Sequence, residues 1–268
     1  MSLVRDEVEP GVIRLRLSSW QGRLVGYDVS VYLVRGVLVD TGFVHAGRAL
    51  LAAFEDLRPR AAIVTHWHED HAGNVEALAR RGLPMRMHPS CEATLRARPS
   101  IAMYRHAVWG QSCRLVTPLV DADVAPLRML ELPGHTPDHL GVWDEERRIL
   151  VSGDLFLGVK VRVAHRHEQP QRLVSSLRAA SALEPRLLLD AHRGPVRDGG
   201  RMLRAKIAWL EETIGAIERR HEAGDTPRAI ARSVLGREAA VGYASRGEYS
   251  KIAFVRAVLE EPPVAGGR

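Results

Sequence analysis

The chain has 268 residues, of which 46% are hydrophobic, 38 are Lys or Arg and 32 are Asp or Glu, so its net charge is +6 at pH 7. This composition excludes a disordered chain and a disulfide-dependent fold, because the apolar residues can fill a core and the two cysteines, Cys91 and Cys113, are too few for a disulfide framework. No segment approaches the ~18 apolar residues of a membrane span, and the start MSLVRDEVEPG lacks the apolar centre of a signal peptide, so we expect a cytoplasmic protein.

The first part of the sequence predicts strands and then helices. Residues 12–40 alternate apolar and polar positions and then contain two β-branched runs, VSVYLV and GVLVD, which is typical of strands. Helical periodicity follows at 46–57, 72–81 and 90–97. Between the first two helices, the apolar run AAIVT at 61–65 predicts a short buried strand.

The segment 98–125 has no clear period and contains Tyr104, His106 and Trp109. Long irregular segments in a compact domain commonly carry function. We therefore expect an active-site loop or lid here.

The second part of the sequence repeats the succession of strands and helices. Strand patterns occupy 127–132, 140–144 and 147–154, a helix is predicted at 171–183, and RLLLD at 186–190 predicts another strand. Two similar halves of this kind predict an α/β fold in which two sheets pack face to face and helices flank them.

The last part of the sequence predicts helices. An amphipathic helix at 201–222 is followed by a shorter helix at 225–236, with Thr226 as its N-cap. Ser245 and Glu248 match a capping box before a final helix.

The change of character near residue 200 predicts two domains. We expect residues 1–200 to form the main domain and residues 201–268 to form a helical appendage. The long helix has an apolar face that must cover something, so the appendage is expected to cap the main domain or to join two copies of the chain in a homodimer.

Four metal-binding side chains crowd the segment THWHEDHAGN, residues 65–74. His66 and His68 are two positions apart, so an extended strand end or a tight turn can point both imidazoles the same way. Asp70 and His71 follow at the turn into the next helix. Imidazoles with a carboxylate suit zinc and other borderline divalent ions. Solvated surface residues are the alternative interpretation, which the preceding apolar strand disfavours.

Four further segments accompany the motif HWHEDH in a fixed order, and together they resemble the metallo-β-lactamase superfamily with its H-x-H-x-D-H signature. They are LVDTG (38–42), PGHTPDH (133–139), SGDLF (152–156) and DAHRGPV (190–196). The resemblance covers about residues 10–200. It implies an α/β fold of the four-layer αββα metallo-β-lactamase sandwich type, here followed by the C-terminal helical appendage.

The resemblance also implies a ligand set and a metal content. Asp40 would lie behind the ligands and fix their orientation by hydrogen bonds. Two Zn²⁺ ions per chain are expected, with iron or manganese as alternatives. The first metal would be bound by His66, His68 and His135, the second by Asp70, His71 and His192, and Asp154 would bridge the two.

The last motif departs from the superfamily pattern, which usually reads Pro-Gly-His-Gly. Here His192 lies between Ala191 and Arg193, and Gly194 comes one position late. We therefore expect a differently shaped loop at the second metal position.

The expected chemistry is hydrolysis by an activated water. Two metal ions that hold one water would lower its pKa to about 7, which makes hydroxide available at neutral pH. Asp70 would orient this water and could take its proton. Charge that develops on the attacked carbonyl or phosphoryl group would be stabilised by a metal.

Three reactions remain open from the sequence. The preferred one is hydrolysis of a carboxylic ester, thioester or lactone. The second is phosphoester or RNA cleavage, with the arginines and the helical appendage following phosphates. The third is iron-dependent oxidation of a small thiol, as in persulfide dioxygenases, which would use the three-histidine site and leave the second one empty.

Candidate substrate contacts lie beyond the metal ligands. Lys160, His165 and His167 follow Asp154 in sequence and could line the substrate mouth, together with Tyr104 of the irregular segment. Solvated surface side chains are the alternative interpretation. A small-molecule substrate is expected rather than nucleic acid, because the sequence has no dense basic block with interleaved aromatics.

Overall fold

The computed structural model of the chain describes residues 2–20 and 27–261, which form two compact units. Each unit is assembled from pieces that are separated in sequence, and the predicted division at residue 200 stays a prediction. The first unit comprises the chain up to Glu131, Asp138–Asp154 and Arg186–Arg197. The second unit comprises Leu132–Pro137, Leu155–Pro185 and the chain from Asp198 onward.

The described strands and helices follow the order of the sequence. The strands are β1 (Ser2–Glu9), β2 (Val12–Ser18), β3 (Val29–Val34), β4 (Val37–Val39), β5 (Ala61–Ile63), β6 (Met85–Arg86), β7 (Arg128–Glu131), β8 (Leu140–Asp144), β9 (Ile149–Gly153), β10 (Ala164–His165), β11 (Leu187–Asp190), β12 (Gly194–Arg197) and β13 (Tyr249–Ser250). The α-helices are α1 (Gly47–Leu57), α2 (Val75–Ala79), α3 (Pro89–Ala97), α4 (Met103–Trp109), α5 (Pro170–Ala182), α6 (Gly199–Glu222), α7 (Pro227–Ile230), α8 (Ala240–Ala244) and α9 (Lys251–Glu260). A 3₁₀ turn at Val44–Ala46 precedes α1, and a π-helical turn at Ala231–Leu235 continues α7.

Two sheets form the centre of the first unit. The first sheet has the order β1-β2-β3-β4-β5-β6, antiparallel up to β4 and parallel from β4 to β6. The second has the order β12-β11-β9-β8-β7, in which β11 and β9 run parallel and the other pairs run antiparallel. The predicted α/β class with two sheets and several helices is confirmed.

Strands β3, β4 and β5 of the first sheet are buried on both faces, and successive side chains of each strand point to opposite sides. Tyr32, Val37 and Val39 belong to one apolar cluster with residues of the second sheet, including Val151. Leu38 points the other way, into a cluster with apolar residues of α1, α2 and α3. The first unit therefore consists of a layer of helices and two packed sheets, and loops at the strand ends carry the candidate site.

The second unit is built mainly of helices. Helices α5 and α6 pack against each other, and α6 buries Leu203, Leu210 and Ile217 on one face. Strands β10 and β13 form a two-stranded antiparallel pair that places His165 opposite Tyr249. Among the described residues, no helix combines the length and apolar character that crossing a bilayer requires. The cytoplasmic location stays a prediction.

Helix α2 is shorter than the 72–81 predicted from periodicity. The preceding residues form a hydrogen-bonded loop instead, in which the Gly73 amide donates to the Gly42 carbonyl at 2.9 Å. The Asn74 side chain donates to the carbonyls of Thr41 and Phe43 at 2.8 and 3.1 Å. These bonds leave Val75 as the first helical residue.

Helix α4 corrects the expectation that the whole segment 98–125 is irregular. It forms at Met103–Trp109, and Trp109 packs on Phe43 with ring centroids 5.0 Å apart. A seven-residue helix of this kind is stabilised by packing rather than by its own sequence, which is why periodicity did not predict it.

Of the two N-caps that the sequence predicted for the last helices, one is found in the structure and the other is not. The Thr226 hydroxyl accepts from the Ala229 amide at 3.3 Å and caps α7 as predicted. The capping box at Ser245 and Glu248 is wrong. The N-cap of α9 is Ser250, whose hydroxyl accepts from the Ala253 amide at 3.0 Å.

Candidate metal centre

The histidine-rich loop follows the end of β5 and is held by Asp40. Thr65 donates to this carboxylate twice, from its amide at 2.7 Å and from its hydroxyl at 3.0 Å. Asp40 itself lies at the end of β4, with a backbone φ of 68°. The carboxylate therefore positions the residue that directly precedes His66.

The loop then folds back so that its histidines gather. The amides of His71 and Ala72 both donate to the His68 carbonyl, at 3.0 and 2.8 Å. The ring of His66 consequently lies 4.6 Å from that of His68 and 4.1 Å from that of His71, measured between centroids. All three rings are at most 3% exposed.

Asp40 also fixes the orientation of His71. Its Oδ2 lies 2.8 Å from His71 Nδ1, so this nitrogen donates to the carboxylate and the opposite nitrogen, Nε2, becomes available as a ligand atom. His71 Nε2 lies 3.2 Å from Asp154 Oδ1. Asp154 comes directly after β9, so a different strand supplies it.

His192 completes a second group of donors from the far end of the sequence. Its Nε2 lies 3.3 Å from Asp154 Oδ1 and 3.5 Å from Asp70 Oδ2. Its Nδ1 lies 2.9 Å from the Asp28 carbonyl oxygen, to which it donates. Asp70, His71 and His192 each offer one ligand atom, and these atoms lie within 4.8 Å of one another.

The loop that carries His192 is a three-residue hairpin turn between β11 and β12. Asp190 pairs with Gly194, the residue directly after the three turn residues, and Gly194 has a positive φ of 75° that glycine adopts without strain. A Cβ at Gly194 would be strained by this positive φ and would displace the Arg14 guanidinium, whose nearest nitrogen would lie 2.7 Å away. The late glycine of the DAHRG motif is therefore the glycine that closes this turn.

Asp190 holds the hairpin turn from inside, a role that the sequence did not indicate. Its buried Oδ1 accepts from the amides of His192 and Arg193, at 2.9 and 2.7 Å. Burial raises the pKa of this carboxyl group, and the two amides oppose the shift. Asp190, two positions before His192, thus shapes the loop that carries this histidine.

The first group of donors in this unit consists of His66, His68 and Asp154, whose ligand atoms lie within 4.8 Å of one another. His135 belongs to the second unit, where it is 5% exposed and its Nδ1 lies 3.5 Å from Glu168 Oε2. The assignment of His135 as a ligand stays a prediction.

Carboxylates around the histidines give this cluster its affinity for positive charge. Burial alone lowers the pKa of His192, but Asp154 and Asp70 outweigh it and raise this pKa to about 9. The pKa of His71 is raised well above its usual value, because the charges of Asp154, Asp40 and Asp70 outweigh burial. Imidazole and carboxylate donors of this kind suit a divalent cation, which would replace the protons.

A buried ion pair connects the histidine-rich loop to α4 and was missed by the sequence analysis. Arg105 donates to both carboxylate oxygens of Glu69, at 2.6 and 2.7 Å, and its guanidinium lies 5.9 Å from the ring centre of Trp67. Glu69 is 1% exposed and Arg105 is 7% exposed. The signal in the sequence was a Glu between two candidate ligands, His68 and Asp70, but its partner lies 36 residues away.

The four residues predicted to contact the substrate differ in how deeply they are buried. Tyr104 is half-buried on α4, and Lys160 and His167 are exposed. His165 is buried in β10. Its ring stacks on that of His167 with centroids 5.1 Å apart and lies tilted against that of Tyr249 with centroids 4.7 Å apart. Their roles in substrate binding stay predictions.

Comparison with known proteins agrees with this geometry. The model of the metallo-beta-lactamase superfamily matches residues 24–198. The beta-lactamase-like protein 2 homolog of Caenorhabditis elegans is 26% identical over 201 residues, which is 68% of this chain and 64% of that protein. Thioesterase pkgB of Emericella nidulans is 32% identical over 200 residues, which is 68% of this chain and 51% of that protein. The chain thus spans about half to two thirds of the length of these relatives.

Among solved structures, a metallo-beta-lactamase family protein from Thermus thermophilus has a TM-score of 0.69 and 20% identity, with 94% of this chain and 92% of that chain covered. A beta-lactamase domain protein from Burkholderia ambifaria has a TM-score of 0.67, also at 20% identity, over 95% of this chain and 86% of that chain. At these identities the likeness concerns the fold.

Proposed function

The chain belongs to the metallo-β-lactamase superfamily, and on this premise we propose that it is a metal-dependent hydrolase that uses two divalent ions to cleave a carboxylic ester, thioester or lactone. One observation carries the proposal. Asp154 Oδ1 lies 3.2 and 3.3 Å from the Nε2 atoms of His71 and His192, and Asp154 also belongs to the group of His66 and His68. A carboxylate that lies next to both donor groups could hold two metal ions beside each other, as two-metal hydrolysis needs.

Zinc is the proposed metal, with iron and manganese as alternatives. Three histidines and a carboxylate at one position, and two histidines and carboxylates at the other, are donor sets that zinc accepts. We assign His66, His68 and His135 to the first ion and Asp70, His71 and His192 to the second, with Asp154 between them.

The names of relatives support acyl transfer to water as the reaction. Two proteins named atrochrysone carboxyl ACP thioesterase, from Claviceps purpurea and Aspergillus chevalieri, are 27% and 30% identical to 57% of this chain. Thioesterase pkgB carries a similar name. We therefore propose a thioester as the first substrate class to test, with a small-molecule acyl group.

Bound divalent ions would supply Lewis acidity at two adjacent points, which lowers the pKa of water and polarises a substrate carbonyl. The residues of the chain prepare that chemistry. Asp40 holds the proton of His71 on Nδ1, and the Asp28 carbonyl accepts the proton of His192 Nδ1, so both Nε2 atoms face the site. Asp70, whose Oδ2 lies 3.5 Å from His192 Nε2, is the carboxylate that we propose orients the water and accepts its proton.

Metal content and a substrate panel test the proposal together. Protein purified without added metal should contain two zinc ions per chain by elemental analysis and should hydrolyse thioesters, lactones or carboxylic esters. Asp144 lies on β8 and contacts Arg35 rather than a ligand, so Asp144→Asn serves as a control that keeps both properties.

Two outcomes would replace the proposal. One iron per chain with turnover of a small thiol would indicate the oxidation reaction. Two metals with cleavage of phosphodiesters and no acyl hydrolysis would indicate the phosphoester reaction.

The homodimer through the C-terminal helices stays a prediction. Measuring the mass of the protein in solution would test it.

A further inference from the structure

Two adjacent buried side chains, Asp138 and His139, lie directly before β8 and contact the loops that carry metal ligands. Asp138 is 3% exposed and His139 is 1% exposed. The motif PGHTPDH contains both residues, but the sequence analysis used only its first histidine. Neither side chain belongs to the ligand groups described above.

Asp138 holds the peptide between two ligands. Its Oδ2 accepts from the Trp67 amide at 2.9 Å, and Trp67 is the residue between His66 and His68. The next strand residue adds a second bond, because the Leu140 amide donates to the Thr65 carbonyl at 2.7 Å. The peptide that determines the directions of His66 and His68 is therefore fixed from the 138–140 segment.

His139 holds the carboxylate that is shared by the two donor groups. Its Nε2 accepts from the Asp154 amide at 3.0 Å, so this nitrogen is unprotonated and the ring is neutral with its proton on Nδ1. The ring of His139 also lies 5.2 Å from the ring of His66, measured between centroids.

The ring of His139 packs closely against the backbone of Gly153. A Cβ at Gly153 would lie 2.7 Å from His139 Nε2 and 3.1 Å from Thr65 Oγ1, and Gly153 has a φ of 49°. Glycine at this position is thus required by the close approach of His139 to the end of β9. The imidazole reaches the Asp154 amide because the residue before Asp154 has no side chain.

We propose that Asp138 and His139 are positioning residues that set the geometry of the two metal positions separately. Asp138 acts on the first position through Trp67, and His139 acts on Asp154 and therefore on both positions. The proposal rests on the two-metal function proposed above. Residues that orient metal ligands through hydrogen bonds commonly contribute 10- to 100-fold to metal affinity, and we expect effects of about that size here.

The alternative is that these side chains only satisfy buried amides and stabilise the fold. Asp144 offers a matched control for that role, since it is a 2% exposed aspartate at the other end of β8. It accepts from Arg35 at 2.8 Å and from the Arg147 amide at 3.3 Å, and it contacts no ligand loop. A merely structural role predicts that variants of Asp138, His139 and Asp144 behave alike.

The test compares variants that remove an acceptor with variants that keep one. Asp138→Ala and His139→Phe remove the acceptors, whereas Asp138→Asn and His139→Gln keep a carbonyl oxygen that can accept the same amide. Zinc affinity is measured by competition with a chromophoric chelator, the cobalt-substituted protein is measured by absorption spectroscopy, and unfolding of the metal-free protein is measured with urea.

We expect Asp138→Ala to weaken binding of the first zinc and His139→Phe to weaken both, by about 10- to 100-fold, with altered cobalt spectra. Asp138→Asn and His139→Gln should recover most of the affinity. Asp144→Asn should unfold at lower urea and keep the wild-type affinity and spectrum. Wild-type affinity and spectra in Asp138→Ala and His139→Phe would overturn the inference, and a wild-type chain that binds no metal would instead overturn the proposed function with it.

A measurement on the wild type keeps the inference testable if those variants do not fold. Amide hydrogen exchange of the metal-free protein should show slow exchange at Trp67 and Asp154, because both amides are already bound before metal arrives. Fast exchange at both amides would overturn the inference.

Discussion

At the scale of single residues, Glu69 and Arg105 form a buried ion pair beside the histidine-rich loop, with 1% and 7% of the two residues exposed. Removing two charges from water is costly, and only good geometry with complete hydrogen bonding offsets that cost. Here both carboxylate oxygens of Glu69 are bound by one guanidinium, at 2.6 and 2.7 Å. Glu69 lies between His68 and Asp70 in sequence and Arg105 lies on α4, so the pair ties the histidine-rich loop to that helix.

Replacing one member of this pair should destabilise the protein more than replacing both members together. Arg105→Met leaves the Glu69 carboxylate buried without its cation, and we expect a loss of about 3–5 kcal/mol in the free energy of unfolding. The double variant Glu69→Gln with Arg105→Met should lose clearly less than the sum of the two single variants. Urea unfolding of the metal-free protein measures this.

A surface pair provides the comparison for that experiment. Arg178 and Glu211 are 2.7 Å apart and both largely exposed, so Arg178→Met should change stability by at most about 1 kcal/mol. If Arg105→Met costs no more than Arg178→Met, the pair of Glu69 and Arg105 does not hold the loop.

The second metal position can be tested at one residue. His192→Ala removes a donor whose Nε2 lies 3.3 Å from Asp154 Oδ1, so the metal content should fall from two ions to one per chain. The exposed His221, at the end of α6, provides the control, since His221→Ala should keep both ions. Two tightly bound ions in His192→Ala would show that His192 is not a ligand.

At the scale of elements, Glu76 connects α2 to a distant loop. Its carboxylate accepts from the amides of Val116 and Thr117, at 2.9 and 3.1 Å, and from Arg80 at 2.7 Å. Burial alone would raise the pKa of Glu76, but these bonds lower it to about 2. Helix α2 directly follows the histidine-rich loop, so the contact restrains that loop as well.

The lowered pKa of Glu76 predicts a pH dependence of stability. A carboxyl group whose pKa is lower in the folded protein stabilises it above its unfolded-state pKa and loses that contribution as the pH falls through the folded value. Glu76→Gln should therefore cost about 1–2 kcal/mol at pH 7, because charged hydrogen bonds are lost. The difference from wild type should disappear as the pH falls from about 4.5 to about 2.

Urea unfolding of both proteins across that pH range measures the effect. Glu92→Gln is the control, because Glu92 pairs with Arg96 on the surface of α3 and should have a small effect at every pH. An advantage of the wild type over Glu76→Gln that stays constant down to pH 2 would contradict the assigned cause.

Strands and helices with a clear local pattern of apolar residues were predicted well. Those whose position or length depends on contacts with distant residues were not. Strands β8 and β9 and helix α6 have clear patterns and lie within about two residues of the predicted ranges. Helix α4 depends on packing against Phe43, and the length of α2 depends on Asn74, so local patterns could not give either.

The candidate site shows the same contrast. The histidine-rich loop was predicted from the spacing of its residues, which is a local property. Asp138, His139 and Asp190 act on backbone amides of other loops, and no spacing in the sequence reveals which amide a side chain reaches. The hairpin turn that carries His192 was expected to differ in shape, and the residue responsible, Asp190, lies two positions before it.

At the scale of the whole molecule, the second unit combines sequence from both sides of residue 200. Helix α5 buries Leu173, Val174 and Leu177, and it packs against α6, which begins at Gly199. The Gly200 amide also donates to the Pro185 carbonyl at 2.7 Å. Much of the apolar surface of α5 therefore depends on sequence beyond residue 200.

A chain that ends at residue 200 should consequently fail to fold into a stable protein. It would expose the apolar face of α5 to water, and exposed apolar surface of that kind promotes aggregation. Soluble yield and circular dichroism of this truncated chain measure the outcome, and co-expression of residues 201–268 should recover part of the yield. A soluble, cooperatively unfolding 1–200 chain would favour the domain boundary predicted from the sequence.

The hairpin turn between β11 and β12 has a consequence for how such an enzyme could diversify. Because Asp190 and Gly194 determine its backbone, the intervening positions are not reserved for glycine. Arg193 is exposed next to His192, and Asp190 binds the amide of this residue, a bond that does not depend on which side chain position 193 carries. A library randomised at position 193 should retain metal in most members while their substrate preferences diverge, which makes this position a starting point for directed evolution.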